Sequence, residues 1–187
     1  MRRSIALTAV VVALAGCRHA SSSATQLALV RGDTLYTLTN LHFDPRKPVL
    51  YSTNFQLGSL IPMCTKVVVN EQSGSKIVFT AVSTNVRYDY LWRDKSTPEG
   101  LGTNFTRYFG PACNSAVVKT MSDIDQTGIR QGQALVGMTK QGVIYAIGYP
   151  PTSQTGSTDL DQWRYWHSRF KTFLVFFDGG KVTGMKQ

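Results

Sequence analysis

The first half of the chain carries apolar and polar residues in alternation, which is the pattern of β-strands with one buried face. The alternation is clearest in residues 86–92, where Arg87 and Asp89 separate Val86, Tyr88 and Tyr90. Runs rich in β-branched and aromatic residues precede it at 49–55, 66–69 and 76–82. These runs predict four or five short antiparallel strands that form a small barrel or a folded sheet.

The last third of the chain begins with a helical pattern. Val143, Ile144 and Ile147 fall on one helical face, and Thr139 is a favourable N-cap residue. Gly148 is followed by Tyr and two prolines, which predicts the helix end because proline cannot continue a helix. Three strands are expected after this helix, at 163–170, 171–177 and 182–185.

Between these regions the chain is richer in small and polar residues. We expect a short helix at Phe105–Phe109, stopped by Gly110-Pro111, while 114–121 fits either a strand or an irregular connection. The sequence therefore predicts an α+β fold, with a β-rich N-terminal part and a C-terminal part of short helices packed on an antiparallel sheet. The predicted segments are a signal peptide (1–16), a flexible tether (17–30), a β-rich domain (31–95), a linker with a short helix (96–128) and a C-terminal domain (129–187).

The N-terminus has the layout of a secretory signal. Arg2 and Arg3 precede an apolar stretch that is too short to span a bilayer. Leu14-Ala15-Gly16-Cys17 then resembles the bacterial lipobox, in which the cysteine is acylated and becomes the new N-terminus. The alternative is an ordinary signal peptide with an incidental cysteine. The resemblance implies a palmitate-bearing lipoprotein, and the absence of Asp after Cys17 implies sorting to the outer membrane. We expect the protein to face the periplasm, with exposure at the cell surface as the alternative.

Charge narrows the set of partners. The 187 residues include 20 Lys and Arg against 11 Asp and Glu, a net charge of +9. In a cell envelope this charge favours anionic envelope polymers or acidic protein surfaces as partners. The expected export to the envelope, and not the charge, excludes nucleic acid as a partner. The basic residues are scattered along the chain, which is also typical of a solvated surface.

A resemblance to a known family covers residues 129–187. Gly137-Met138-Thr139 at a helix start, Gly148-Tyr149-Pro150 at its end, Trp163-Arg164-Tyr165 in a strand and Asp178-Gly179-Gly180-Lys181-Val182 in a hairpin occur in this order. The order resembles the SmpA/OmlA domain, the fold of the BamE-like lipoproteins of the outer-membrane β-barrel assembly machinery. The resemblance implies a BamE-like C-terminal domain that binds partners and does not catalyse. The same layout occurs in secreted β-lactamase inhibitor proteins.

We therefore expect a non-catalytic outer-membrane lipoprotein that binds or scaffolds envelope components, in outer-membrane protein assembly or envelope integrity. The alternatives are a periplasmic module that binds the cell wall or a soluble ligand, and an inhibitor-like protein-binding domain. The sequence contains no hydrolase or phosphate-loop motif, and Glu71 and Glu99 are its only glutamates. No cofactor and no metal are expected.

The cysteines and histidines offer little for catalysis. Cys64 and Cys113 remain after Cys17 is acylated. In an oxidising compartment they form either a disulfide that links the two halves or two buried thiols. A nucleophilic pair of one of these cysteines with His42 or His167 lacks the local signature of a cysteine hydrolase.

The densest aromatic and cationic segment is 163–170. As a strand it places Arg164, Trp166 and Phe170 on one face and alternating side chains, including Arg169, on the other. Tryptophan and arginine are frequent at binding hot spots. We expect Arg164, Trp166 and Arg169 to contribute to binding of a partner or a membrane surface.

Overall fold

The computed structural model describes residues 29–93 and 97–187. The predicted signal peptide, Cys17 and most of the tether lie outside these ranges. The strands are β1 Thr34–Thr37, β2 Leu41–Phe43, β3 Val49–Tyr51, β4 Ser59–Ile61, β5 Lys66–Gln72, β6 Lys76–Ala81, β7 Val86–Leu91, β8 Phe109–Gly110, β9 Gln162–Ser168, β10 Lys171–Asp178 and β11 Lys181–Lys186. The helices are α1 Leu101–Thr106, α2 Ala116–Lys119, α3 Asp123–Gln131 and α4 Lys140–Ile147. The fold is mixed α+β, as the sequence predicts.

Residues 34–110 build a curled six-stranded sheet in the order β3-β7-β6-β5-β1-β8. All neighbours in this sheet are antiparallel except β3 and β7. The sheet has two edge strands, β3 and β8. Of the two predicted arrangements, a small barrel and a folded sheet, it is therefore the folded sheet. Tyr88 and Tyr90 are buried and Arg87 is exposed, which confirms most of the predicted alternation in β7. Val86 departs from it, with 37% of its surface exposed at the strand's first position.

In the connecting region, the predicted position of the first helix was wrong, and the sequence leaves the structure of residues 114–121 open. The predicted helix at 105–109 lies earlier, at α1, and the chain then extends into β8, which pairs with β1 and forms the edge of the sheet. Phe105 and Phe109 are nevertheless stacked at 4.0 Å between ring centroids, with both rings buried. The extended backbone after α1 carries Phe109 into the core and gives β1 a hydrogen-bonded neighbour. Residues 114–121 contain the short helix α2.

The C-terminal part packs α3 and α4 against the three-stranded antiparallel sheet β11-β10-β9. Helix α4 begins at the N-cap Thr139, whose hydroxyl accepts from the Gly142 amide at 2.9 Å, and ends before Gly148. Gly148 has φ 75°, a backbone conformation that glycine adopts more readily than other residues. Buried residues of α4 and of the sheet form one core: Met138, Val143, Ile144, Ile147, Trp163, Tyr165, Val175, Phe177 and Val182.

Helix α3 was not predicted. Its N-cap Ser122 accepts from the Asp125 amide at 3.3 Å and donates its hydroxyl to the Asp125 carboxylate at 2.7 Å. The same carboxylate accepts from the Thr139 amide at 2.8 Å, so Asp125 joins the starts of α3 and α4. Helix α3 runs across the predicted boundary between residues 128 and 129.

Candidate functional site

The two parts of the chain meet along a polar seam. The buried side chain of Asn40 donates to the carbonyl oxygens of Ile129 at 2.6 Å and Ala146 at 3.1 Å, and it accepts from the Met63 amide at 2.8 Å. The Asn40 amide donates to the carbonyl of Tyr145 at 2.9 Å. Asn40 thus satisfies carbonyl groups of α3 and α4 from outside the C-terminal part, and it fixes how the parts join.

A second contact joins the segment after β3 to the C-terminal sheet. Phe55 and Trp166 form a parallel bridge, and the Gln56 amide donates to the Trp166 carbonyl at 2.8 Å. The rings of Phe55 and Trp166 meet edge to face, with centroids 6.4 Å apart. Strand β9 is an edge of its own sheet, and this segment covers that edge at Trp166.

A groove of about 850 Å³ opens beside this contact. This volume lies within the usual range of ligand pockets, about 300–1,000 Å³. We call it the arginine groove, since three arginines from three separate segments line it. Its lining residues are Asp44, Arg46, Tyr51, Thr53, Phe55, Leu57, Arg93, Trp166, Ser168 and Arg169.

Positive charge dominates the arginine groove. Arg46 pairs with Asp44 at 3.3 Å, and its hydrogen bonds lower the pKa of the Asp44 carboxyl, which therefore stays ionised. The guanidinium of Arg93 lies over the Tyr51 ring, 5.1 Å from its centroid. Arg169 is exposed and has no ion pair with any residue that the structure describes. An anion is therefore attracted to this groove.

Two polar atoms in the wall of the groove lack partners. Thr53 is 5% exposed, and its hydroxyl Oγ1 has no hydrogen-bond partner within residues 29–93 and 97–187. The same holds for the indole Nε1 of Trp166, which is also buried. Since buried polar groups in proteins are nearly always hydrogen-bonded, each of these atoms costs stability in the free protein.

The structure separates the three predicted binding residues. Trp166 and Arg169 line the groove, whereas Arg164 is exposed two residues earlier in β9, outside the lining. Tyr51, Thr53, Phe55, Arg46 and Arg93 were missed. They come from the turn after β2, the segment after β3 and the end of β7, and no local signal in the sequence connects these segments with β9.

The cysteines and histidines considered from the sequence do not line the arginine groove. Cys64 and Cys113 form a disulfide with Cα atoms 5.3 Å apart, so neither supplies a thiolate to a histidine. His42 and His167 line another cavity of about 470 Å³, which lies between the loop after β3 and the end of α3. The Nδ1 of His42 is 3.1 Å from the carbonyl of Leu57, and burial lowers the pKa of His42. Cys17, the predicted acylation site, lies outside the described residues.

The part of the chain that the structure describes offers neither a candidate metal centre nor a membrane-spanning helix. No three His, Cys, Asp or Glu side chains there lie close enough to hold a metal ion. None of the helices in that part has the length and apolar character needed to cross a membrane. No family model, curated protein or solved structure matches this chain.

Proposed function

We propose that this protein is a non-catalytic lipoprotein of the outer membrane, anchored through acylated Cys17, that binds or scaffolds a component of the cell envelope. The observation that carries the proposal is the arginine groove, where arginines and aromatic rings from both parts of the chain converge beside Trp166. Arginine, tyrosine and tryptophan dominate binding hot spots because they combine contact area with charge or hydrogen bonding.

The lipobox-like Leu14-Ala15-Gly16-Cys17 supports the membrane anchor. The resemblance of residues 129–187 to the SmpA/OmlA domain supports a BamE-like role in outer-membrane protein assembly or envelope integrity. Helix α4, with its Thr139 N-cap and Gly148 end, and the three antiparallel strands after it occur in the order that this resemblance implies. The β-rich part adds a second half to the binding surface.

A second candidate is a periplasmic module that binds the cell wall or a soluble ligand. The volume of the groove favours this alternative, because it suits a small ligand or a short polymer segment better than a flat protein surface. An inhibitor-like domain would bind an acidic surface of another protein through the same arginines.

The anchor and the partner need separate tests. Cys17→Ser should abolish incorporation of labelled palmitate and release the protein from outer-membrane fractions, while Ser22→Ala should change neither. An unmodified mature N-terminus in intact-mass spectra would overturn the anchor. The wild type and Arg169→Ala should then be used as baits in detergent-solubilised envelopes. Capture of barrel-assembly components favours the first candidate, and capture of peptidoglycan fragments favours the second.

A further inference from the structure

We propose that the arginine groove binds an acidic sugar, a pyranose ring that carries a carboxylate. The inference rests on the proposed function in one respect, that the groove is the binding surface. It goes further by naming the chemical class of the ligand. The sources of such a ring are muramyl units of a cell wall and uronic acids of other polysaccharides.

The exposed arginine of the groove is suited to bind the carboxylate of such a sugar. A guanidinium presents parallel N–H donors that match both oxygens of a carboxylate. Arg169 is exposed at the groove and unpaired among the described residues, while Arg46 is engaged by Asp44. A carboxylate in the groove can therefore accept hydrogen bonds from the parallel N–H donors of Arg169. The positive charges of the other two arginines attract it as well.

The aromatic and polar side chains of the groove are suited to bind the sugar ring. Half-buried Tyr51, Phe55 and Trp166 give the groove an aromatic wall, and the C–H face of a pyranose is apolar enough to pack against such rings. Hydroxyl groups around the ring both donate and accept hydrogen bonds. The ionised carboxylate of Asp44, which lines the groove, accepts from such a hydroxyl.

The covered edge of β9 argues against a peptide. Extended peptides usually bind by pairing with the main chain of an edge strand. At the groove the main chain of Trp166 is already bonded to Gln56 and bridged to Phe55. Ligand recognition at the groove therefore depends on side chains. The side chains that line it suit a charged, hydroxylated ring.

Two matched ligand pairs test the proposal on the full-length mature chain in detergent, by calorimetric titration. N-acetylmuramic acid and N-acetylglucosamine differ by the lactyl carboxylate, and glucuronic acid and glucose differ by the C6 carboxylate. Each acid should bind at least about tenfold more tightly than its neutral counterpart, as expected for loss of a charge-assisted hydrogen bond. The pair with the larger contrast identifies the source. Equal affinities for acid and neutral sugar would overturn the proposal.

Variants separate the groove from general surface charge. Arg169→Ala should weaken binding of the acid about tenfold or more, while Arg164→Ala, on the same strand but outside the groove, should change it less than about twofold. Trp166→Phe keeps an aromatic ring but removes the N–H. The smaller ring offers less surface to the C–H face of the pyranose, so this variant should weaken binding of the acid and of the neutral sugar alike.

Three outcomes decide between explanations. Equal losses for Arg164→Ala and Arg169→Ala would mean diffuse charge attraction and no site. Tighter binding of triglutamate than of either sugar acid would mean a peptide site and would also overturn the proposal. If no sugar acid binds, but Arg169→Ala still loses the partner captured from envelopes, the ligand class is wrong and the proposed function stands.

Discussion

The side-chain amide of Asn54 donates to the carbonyl oxygen of Ile147 at 2.8 Å. The same nitrogen lies 2.8 Å from the Tyr149 carbonyl. These carbonyls belong to the last turn of α4 and the residues after it, which have no partner within the helix. A residue of the β-rich part therefore completes the end of a helix in the C-terminal part. Asn54 has φ 50°, a conformation that asparagine tolerates better than most residues.

Asn54→Asp should reveal how much this contact stabilises the fold. The substitution keeps the shape but replaces the donating nitrogen with an oxygen that faces two carbonyls. We expect the free energy of unfolding to fall by at least about 2 kcal/mol, measured by urea denaturation. Asn85→Asp is the matched control, because Asn85 has φ 54° but is exposed. Equal effects of the two substitutions would mean that the Asn54 contact contributes nothing.

A substitution at Gly148 tests the same contact between the end of α4 and Asn54. A Cβ at position 148 would lie 2.8 Å from the Asn54 amide nitrogen and 3.0 Å from Tyr108 Cε1, on a backbone with φ 75°. Gly148→Val combines backbone strain with overpacking and should cost about 2–4 kcal/mol. Gly156→Val is the control, since a Cβ there meets nothing within 4 Å. Thermal melts of the two variants that coincide would contradict this account.

The Cys64–Cys113 disulfide closes a loop with a sequence separation of 49 residues. In the chain-entropy model a loop of this size contributes about 4 kcal/mol to stability. A reducing agent should lower the denaturation midpoint of the wild type and leave that of the double variant Cys64→Ala/Cys113→Ala unchanged. A wild-type midpoint that does not respond to reductant would show that the bond adds no stability.

The pKa of His42 is lowered by burial, so folding favours its neutral form. The unfolded chain then binds a proton at His42 more readily than the folded protein does. Stability should therefore decrease as the pH falls below the unfolded value of 6.5, and this loss should be absent above it.

His42→Gln removes this titration. The unfolding free energies of wild type and variant should be compared by denaturant titration between about pH 7.5 and about pH 5.5. We expect the wild type to lose more stability than the variant over this interval. Identical pH slopes would mean that His42 protonates as easily in the folded protein as in the unfolded one.

Local patterns predicted much of the secondary structure. Runs of β-branched and aromatic residues located β5 and β6, and alternation located β7. The Thr139 and Gly148 signals placed α4 within one residue, because strand faces and helix caps depend on neighbours in sequence. Helix α3 was missed although Ser122 and Asp125 have the spacing of a capping box. It contains only two large apolar side chains, Ile124 and Ile129. Its Gly128 packs directly against Met138, which a sequence pattern does not show.

The candidate site was predictable only in part. Trp166 and Arg169 stood out because they lie in one aromatic and basic segment. Thr53 lies near the bridge between Phe55 and Trp166, which are more than a hundred positions apart, and Arg93 reaches the same groove because β7 pairs with β3. Pairing over such distances depends on how the two parts of the chain pack, and local sequence patterns carry no record of it.

The bond between Cys64 and Cys113 also makes survival of the protein depend on where it folds. In a reducing compartment the thiols stay apart, and a deficit of about 4 kcal/mol raises the unfolded fraction roughly a thousandfold. Proteases degrade chains from the unfolded state, so a copy whose cysteines stay reduced has a shorter lifetime than one that is oxidised. The cross-link would thus limit how long the protein persists in a reducing compartment, without a dedicated recognition signal.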